Sequence, residues 1–345
     1  MVLVTDMSII RKSAVLWTLL FFFIMASNTR RRGRGPLAVA GALSPKVAVL
    51  GATGRLGRAT VQELLKNDIP VNCLVRPSSS VPSDWPSDKV TVVRGELSDA
   101  SGSSADQPSK AMVELLTDCT HCVACYGATR KTKLSDFWDP SIEDTDPTHA
   151  KQINYQSMKA LLAACKETGC SQILRITGKG EDPTSFFSVL INGLGSFAKG
   201  WNYEGEEVLR QQSSTAYTIV RPGIMKEEYP PPKKDGEERE PEYLSLADNG
   251  GDLKVSVVSY QQIAELLVQC ILNEQSKGVT LCAMNVKGTP VQATLAERVQ
   301  ALKPDTRKFP KSLIAEHKNA VYKAATGLAV GMSFLLLGMI KLIFF

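Results

Sequence analysis

A chain of 345 residues with 43% hydrophobic residues, 22% charged residues and a formal net charge of +5 has the balance of an ordinary folded protein. That balance excludes intrinsic disorder and a strongly nucleic-acid-binding surface. A body of roughly 270 residues buries about 70 to 75% of its unfolded surface, so its core needs no staples, and the eight cysteines lie scattered through apolar segments, as in a reducing compartment.

Taken in chain order, the first segment does not read as part of that body. "SAVLWTLLFFFIMA", Ser13 to Ala26, follows Arg11 and Lys12 and precedes Arg30, Arg31, Arg32 and Arg34. About 14 apolar residues are too few for a bilayer-spanning helix, so residues 1–44 are expected to be a signal or targeting segment. The alternative is an uncleaved anchor. The acid-free, Arg-rich stretch after the apolar run gives the segment the look of a two-part plastid address.

From Lys46 onward, short β-rich runs alternate with helical stretches, the pattern of a parallel sheet covered on both faces. Strands are expected at "KVAVL" (46–50), "VNCLV" (71–75), "VTVV" (90–93), "HCVACY" (121–126), "QILRI" (172–176) and "YTIV" (217–220). Helices are expected through about 67, near 111–117, from about 151 to 167 and ending near 212. Six strands with helical crossovers predict an α/β fold, a Rossmann-like doubly wound sheet. Between the fourth strand and its helix lies a polar insertion, 131–150. "EDPTSFFSVLINGLGSF" (181–197) is unusually apolar, so it is expected as a substrate wall, a membrane contact or plain core.

After Pro222 the charged, Pro-rich run 226–242 reads as a surface loop. "LKVSVV" with "SYQQIAELLVQCIL", then "VTLCAMNV" with a helix near 292–302, are expected to complete the sheet and a small C-terminal substrate-side lobe. The Rossmann domain is thus placed at 45–303, followed by a basic linker, 304–323, carrying Lys308, Lys311, Lys318 and Lys323. Residues 324–345 are apolar apart from Lys341 and read as a transmembrane tail anchor, with the body on the cytosol-like face.

The strongest chemical signal is "VLGATGRLGRAT". Gly51, Gly54 and Gly57 fall between a strand and an amphipathic helix. There they permit a tight turn, a close approach of backbone to a pyrophosphate, and close helix–strand contact. A NAD site wants an acid at the end of the second strand, whereas this chain has Arg76 there and Arg55 in the loop. Guanidinium groups favour a 2′-phosphate, so NADP is expected over NAD.

The glycine loop, "LVRP", "VVRGELSD" (92–99), "GATR" (127–130) and "YTIVRPG" (217–223) together resemble the atypical short-chain dehydrogenase/reductase superfamily, specifically its NmrA-like NAD(P)-binding proteins. The likeness runs from about Lys46 to Val286. It implies a Rossmann fold holding NADP(H) on Gly51, Thr53, Gly54, Arg55, Leu56 and Gly57, with Arg76 at the phosphate. It also implies Glu96 near the adenine, where Asp is commoner in the family, and Gly127 and Ala128 beside the cofactor.

Two Tyr/Lys pairs compete for the catalytic role. "NYQSMK" supplies Tyr155 and Lys159 in the familiar order, but before the fifth strand, on a crossover helix whose Ile153, Ser157, Ala160, Leu161 and Ala164 make a packing face. The family's dyad position, counted back from "YTIVRPG", falls on Lys199 and Tyr203, in reversed order. One helical turn is about 5.4 Å, whereas proton transfer needs an approach of about 2.6–3.2 Å, so the family mechanism does not simply carry over. Thr177 stands near the family's serine.

Two functions stay open. One is a membrane-tethered NADP(H)-binding sensor or assembly factor with a degraded dyad, tied to a membrane-protein partner. The other is an active NADPH-dependent oxidoreductase for a carbonyl or quinone-like substrate, with Tyr203, Lys199 and Thr177 as its catalytic residues. "CTHCVAC" offers Cys119, His121, Cys122 and Cys125, but residues three apart on a strand point to opposite faces, so no metal site is expected.

Overall fold

The computed structural model describes residues 45–97, 108–212, 214–229, 240–251, 253–289 and 291–344. The expected targeting segment and the middle of the charged loop lie outside the described residues.

Aliphatic and β-branched runs form strands here because central parallel strands are covered on both faces. β1 (Val47–Leu50), β2 (Val71–Val75), β4 (His121–Ala124) and β5 (Gln172–Ile176) are buried along their whole length. With β3 (Val90–Arg94) and β6 (Ala216–Pro222) they are the six strands expected from the sequence. Two more follow: β10 (Val279–Lys287), parallel to β6, and β8 (Glu242–Ala247), antiparallel on the outer edge of β10. The sheet order is β3-β2-β1-β4-β5-β6-β10-β8, and β7 (Ile224–Lys226) pairs separately with β9 (Val257–Ser259). The order reverses between β1 and β4, which opens a crevice at their C-terminal ends.

Alternate residues of β1 serve opposite cores. Val47 and Val49 meet Val61 and Leu64 of α1 (Arg55–Lys66) and Ile263 and Leu267 of α7 (Tyr260–Leu272). Ala48 and Leu50 meet Met112 and Leu115 of α2 (Lys110–Leu116) and Leu161 and Ala164 of α4 (Ser157–Thr168). "CTHCVAC" is divided in the same way, with Cys119 and Cys122 in the second core and Cys125 against the first. Among the described residues no group of three or more His, Cys, Asp or Glu could hold a metal ion.

The insertion is folded rather than open. It holds a 3-10 turn, Leu134–Phe137, and a short helix, α3 (Ile142–Thr145), both organised by Arg130. Arg130 donates to Asp136 at 2.5 Å and to Asp146 at 2.8 Å. A π-helical turn, Lys151–Gln156, leads into α4. After β5 come α5 (Phe186–Leu194) and α6 (Ala198–Arg210), and after β10 the short α8 (Leu295–Gln300).

Residues 304–313, expected as a linker, lie on the body as a strap. The Asp305 carboxylate accepts from the Thr280 N–H at 3.0 Å and its hydroxyl at 2.6 Å. The Phe309 ring sits 3.9 Å from the Arg210 guanidinium and 4.3 Å from that of Arg307. The strap ends where Glu204 Oε1 accepts from the Ser312 hydroxyl and the Leu313 and Ile314 N–H groups at 3.0, 2.9 and 3.0 Å, which starts α9 (Ile314–Phe344).

The transmembrane anchor expected at 324–345 is not supported. Among the described residues no helix is long and apolar enough to cross a membrane. The first turns of α9 are committed to the body instead: His317 is buried, and Lys318 pairs with Glu143 at 2.7 Å. The side chains at 334 and 336–345 lie outside the described residues.

Candidate functional site

The glycine loop joins β1 to α1 at the crevice. Gly51 has φ +76, and a Cβ there would stand 2.8 Å from the Cys125 carbonyl oxygen. A Cβ on Gly57 would stand 2.1 Å from the Gly51 oxygen, so these two positions admit no side chain without moving backbone. The Gly54 N–H closes the turn on the Gly51 carbonyl at 3.0 Å. No side chain caps the α1 N-terminus, which leaves the first-turn amides and the positive helix end to a diphosphate. Leu56 is buried and can offer only its amide, whereas Thr53 is half-buried and Arg55 exposed.

Beside this turn lies a cavity of about 450 Å³ lined by Thr53, Arg55, Arg58, Gln62, Glu227 and Tyr260. The Arg55 guanidinium lies 5.3 Å from the Tyr260 ring centre. Arg76 is exposed just beyond β2. The sequence reading missed Arg94, the last residue of β3, which pairs in register with Val75. Its Nη1 donates to the carbonyls of Arg76 at 3.0 Å and Ser79 at 2.6 Å, placing a second guanidinium at the same sheet edge. Its position at the end of the third strand, inside "VVRGELSD", was the available signal. Glu96 follows two residues later, half-buried.

Gly127 and Ala128 follow Cys125 and Tyr126, the residues that pack against Gly51 just past β4. Asn154 fixes them: its Oδ1 accepts from the Ala128 N–H at 3.0 Å, and its Nδ2 donates to the Ala198 carbonyl at 3.1 Å. The π-helical turn that carries Asn154 therefore joins the cofactor edge to the start of α6. Tyr155 packs on Trp201 with ring centres 5.6 Å apart, and Lys159 lies 5.4 Å from the Tyr155 ring centre.

Lys199 and Tyr203 lie one turn apart on α6, but each is engaged elsewhere. Lys199 Nζ donates to Ser188 on α5 at 2.8 Å, and burial lowers its pKa. The Tyr203 hydroxyl donates to the Pro310 carbonyl of the strap at 2.8 Å, and burial raises its pKa. Thr177 donates to Glu206 Oε1 at 2.5 Å. Glu206 is fully buried; burial pushes its pKa up, but Arg221 and Arg210 outweigh this and hold it at about 2. Arg221, from "YTIVRPG", also reaches Glu181 at 2.5 Å. That motif arginine thus anchors an ionic cluster whose Glu206 also accepts from Thr177, the residue placed near the family's serine.

A sheet of parallel strands that reverses its order beside a glycine turn and an uncapped helix start defines a dinucleotide-binding Rossmann protein. The chain belongs to the NAD(P)H-binding family, whose family model matches residues 51–274. It is similar to "Protein TIC 62, chloroplastic" of Arabidopsis thaliana, 28% identical over 75% of this chain and 39% of that protein. The Pisum sativum protein of the same name is 26% identical over 76% of this chain and 47% of its own length. The chain therefore spans less than half of either. Among solved structures, the oxidoreductase ylbE of Lactococcus lactis superposes with a TM-score of 0.52 at 14% identity, covering 74% of this chain and 96% of that one. A short-chain dehydrogenase/reductase of Veillonella parvula, in complex with NADP, gives 0.50 at 13% identity over 70% and 95%. At such identities the likeness shows the fold alone.

Proposed function

We propose that this chain is an NADP(H)-binding sensor or assembly factor of a plastid membrane, in which the family's catalytic dyad has degraded. The observation that carries this reading is the engagement of Lys199 by Ser188 and of Tyr203 by the Pro310 carbonyl. A proton donor must come within about 2.6–3.2 Å of its substrate, and here the phenol proton is already given to the strap. NADP is favoured over NAD because Arg76 and Arg94 stand together at the sheet edge where the adenosine ribose is held in this fold. The plastid assignment rests on the chloroplastic relatives. The tether rests on the exposed apolar side chains of α9 beyond Lys323, among them Leu328, Met332 and Leu335.

Calorimetric titration with NADPH and NADH, alongside turnover assays with carbonyl and quinone substrates, tests this reading. The expected result is tight NADPH binding with no substrate-dependent oxidation. NADPH oxidation that needs a substrate and disappears in Tyr203→Phe would reinstate the active reductase. Co-sedimentation of the full chain with lipid vesicles tests the tether, which fails if the protein stays in the supernatant.

A further inference from the structure

Helix α5 is built inside out. Its fully buried side chains are polar: Ser188 accepts from Lys199, and Asn192 Oδ1 accepts from the Lys199 and Gly200 N–H groups at 3.0 Å each. Asn192 Nδ2 lies 2.8 Å from His317 Nδ1 of α9. Its large apolar side chains face outward, with Phe186 73%, Phe187 57%, Leu190 41%, Ile191 46% and Leu194 65% exposed. Rolling the helix over would hide the phenylalanines but strip Asn192 and its partners of their bonds, leaving buried polar groups unsatisfied. The orientation is therefore fixed from inside. Each outward side chain keeps part of its burial free energy available to whatever covers it.

The apolar face continues on both sides. Leu134 (75% exposed) and Trp138 (68%) adjoin it through the insertion, where the Thr132 N–H donates to the Leu194 carbonyl at 2.9 Å. On the other side α9 runs along α5, with Val321 against Gly193, and then exposes Leu328, Val330, Met332 and Leu335. About 30 Å of helix continues past Lys323. α5 itself carries no charge, while exposed Lys131 and Lys133 flank Leu134 and exposed Lys323 lies on α9. Of the nearby acids Glu143 is paired with Lys318, whereas Asp182 and Asp139 accept from neighbouring Ser and Thr groups and keep their charge, and Lys133 lies 3.7 Å from Asp146.

We propose that α5, with Leu134 and Trp138, is a docking surface for an anionic lipid bilayer, lying in the headgroup–acyl boundary. An uncharged apolar helix face with a tryptophan at its margin and lysines around it is the chemistry of an interfacial helix. A protein partner or a second copy seated on α5 would leave the apolar continuation of α9 bare, whereas a bilayer covers both. The surface is independent of the cofactor crevice.

All eight native thiols are buried or half-buried, so a cysteine introduced by Phe187→Cys takes an environment-sensitive fluorophore selectively. The control is Lys66→Cys on α1, a side chain 70% exposed. The full-length labelled chains are mixed with phosphatidylcholine–phosphatidylglycerol vesicles, after a melting-point gain with NADPH has shown that each is folded. The expected result is a blue shift of the 187 probe and its quenching by brominated acyl chains, with neither at 66. The proposal is overturned if the chain does not float with the vesicles, or if it floats while the 187 probe stays water-like. It is also overturned if that probe is shielded before lipid is added in a particle of twice the monomer mass, which assigns the face to a second copy.

Discussion

Replacing Glu206 with glutamine tests whether charge locks the face that carries Thr177, Lys199 and Tyr203. The carboxylate is fully buried between Arg221 and Arg210, with Arg210 Nη2 at 2.6 Å. Burial raises its pKa, and the two guanidinium groups more than reverse that, bringing it to about 2 from an ordinary 4.5. A difference of that size corresponds to about 3 kcal/mol at 1.36 kcal/mol per unit. Because the folded value is depressed, the contribution is complete above pH 4.5 and is lost as pH falls from there toward 2. Removing one partner of a buried ion pair costs about 3–5 kcal/mol by a separate line of reasoning, so the two magnitudes agree. Urea denaturation of Glu206→Gln near neutral pH should thus show a loss of about 3 kcal/mol, with the gap to the parent narrowing as pH drops toward about 3. A gap under about 1 kcal/mol at neutral pH, or one that stays constant down to about pH 3, would refute the reasoning.

Other positions give sharper functional readouts. Gly57→Ala, whose Cβ would lie 2.1 Å from the Gly51 oxygen, should abolish the melting-point gain with NADPH; an unchanged gain would remove the glycine turn from the binding site. Arg76→Ser should weaken NADPH by about 10- to 100-fold, the worth of one charged hydrogen bond, with NADH unchanged in calorimetry; equal losses for both would remove the 2′-phosphate assignment. Tyr203→Phe should cost about 1 kcal/mol of stability by freeing the Pro310 carbonyl, without altering any NADPH oxidation rate.

Much of this architecture was legible in the sequence for a plain reason. Each of the first six strands is a short aliphatic run between turn signals, and the glycine loop lies where strand periodicity gives way to helical periodicity, so local pattern and global fold agree. β8 was not legible, because "EYLSLA" follows a Pro-rich charged run and its partner β10 stands some forty residues on. The reversed Lys199–Tyr203 order could be counted from the motif, but what each side chain touches could not. Ser188 lies eleven positions from Lys199 and Pro310 lies 107 positions from Tyr203, and no composition signal links either pair. The strap looked like a basic linker because its attachments, among them Asp305, Phe309 and the Pro310 carbonyl, are single contacts amid lysines. The apolar character of 181–197 was visible, but its outward orientation depends on Asn192 and His317 meeting across 125 positions.

The oxygen that begins α9 belongs to another helix. Glu204 of α6 holds the donors at 312–314, one residue from Tyr203, while His317 and Lys318 in the next turn are held by Asn192 and Glu143. Tension in α9 is therefore shared among α5, the insertion and α6, so the segment that carries Lys199 and Tyr203 is mechanically coupled to whatever grips that helix.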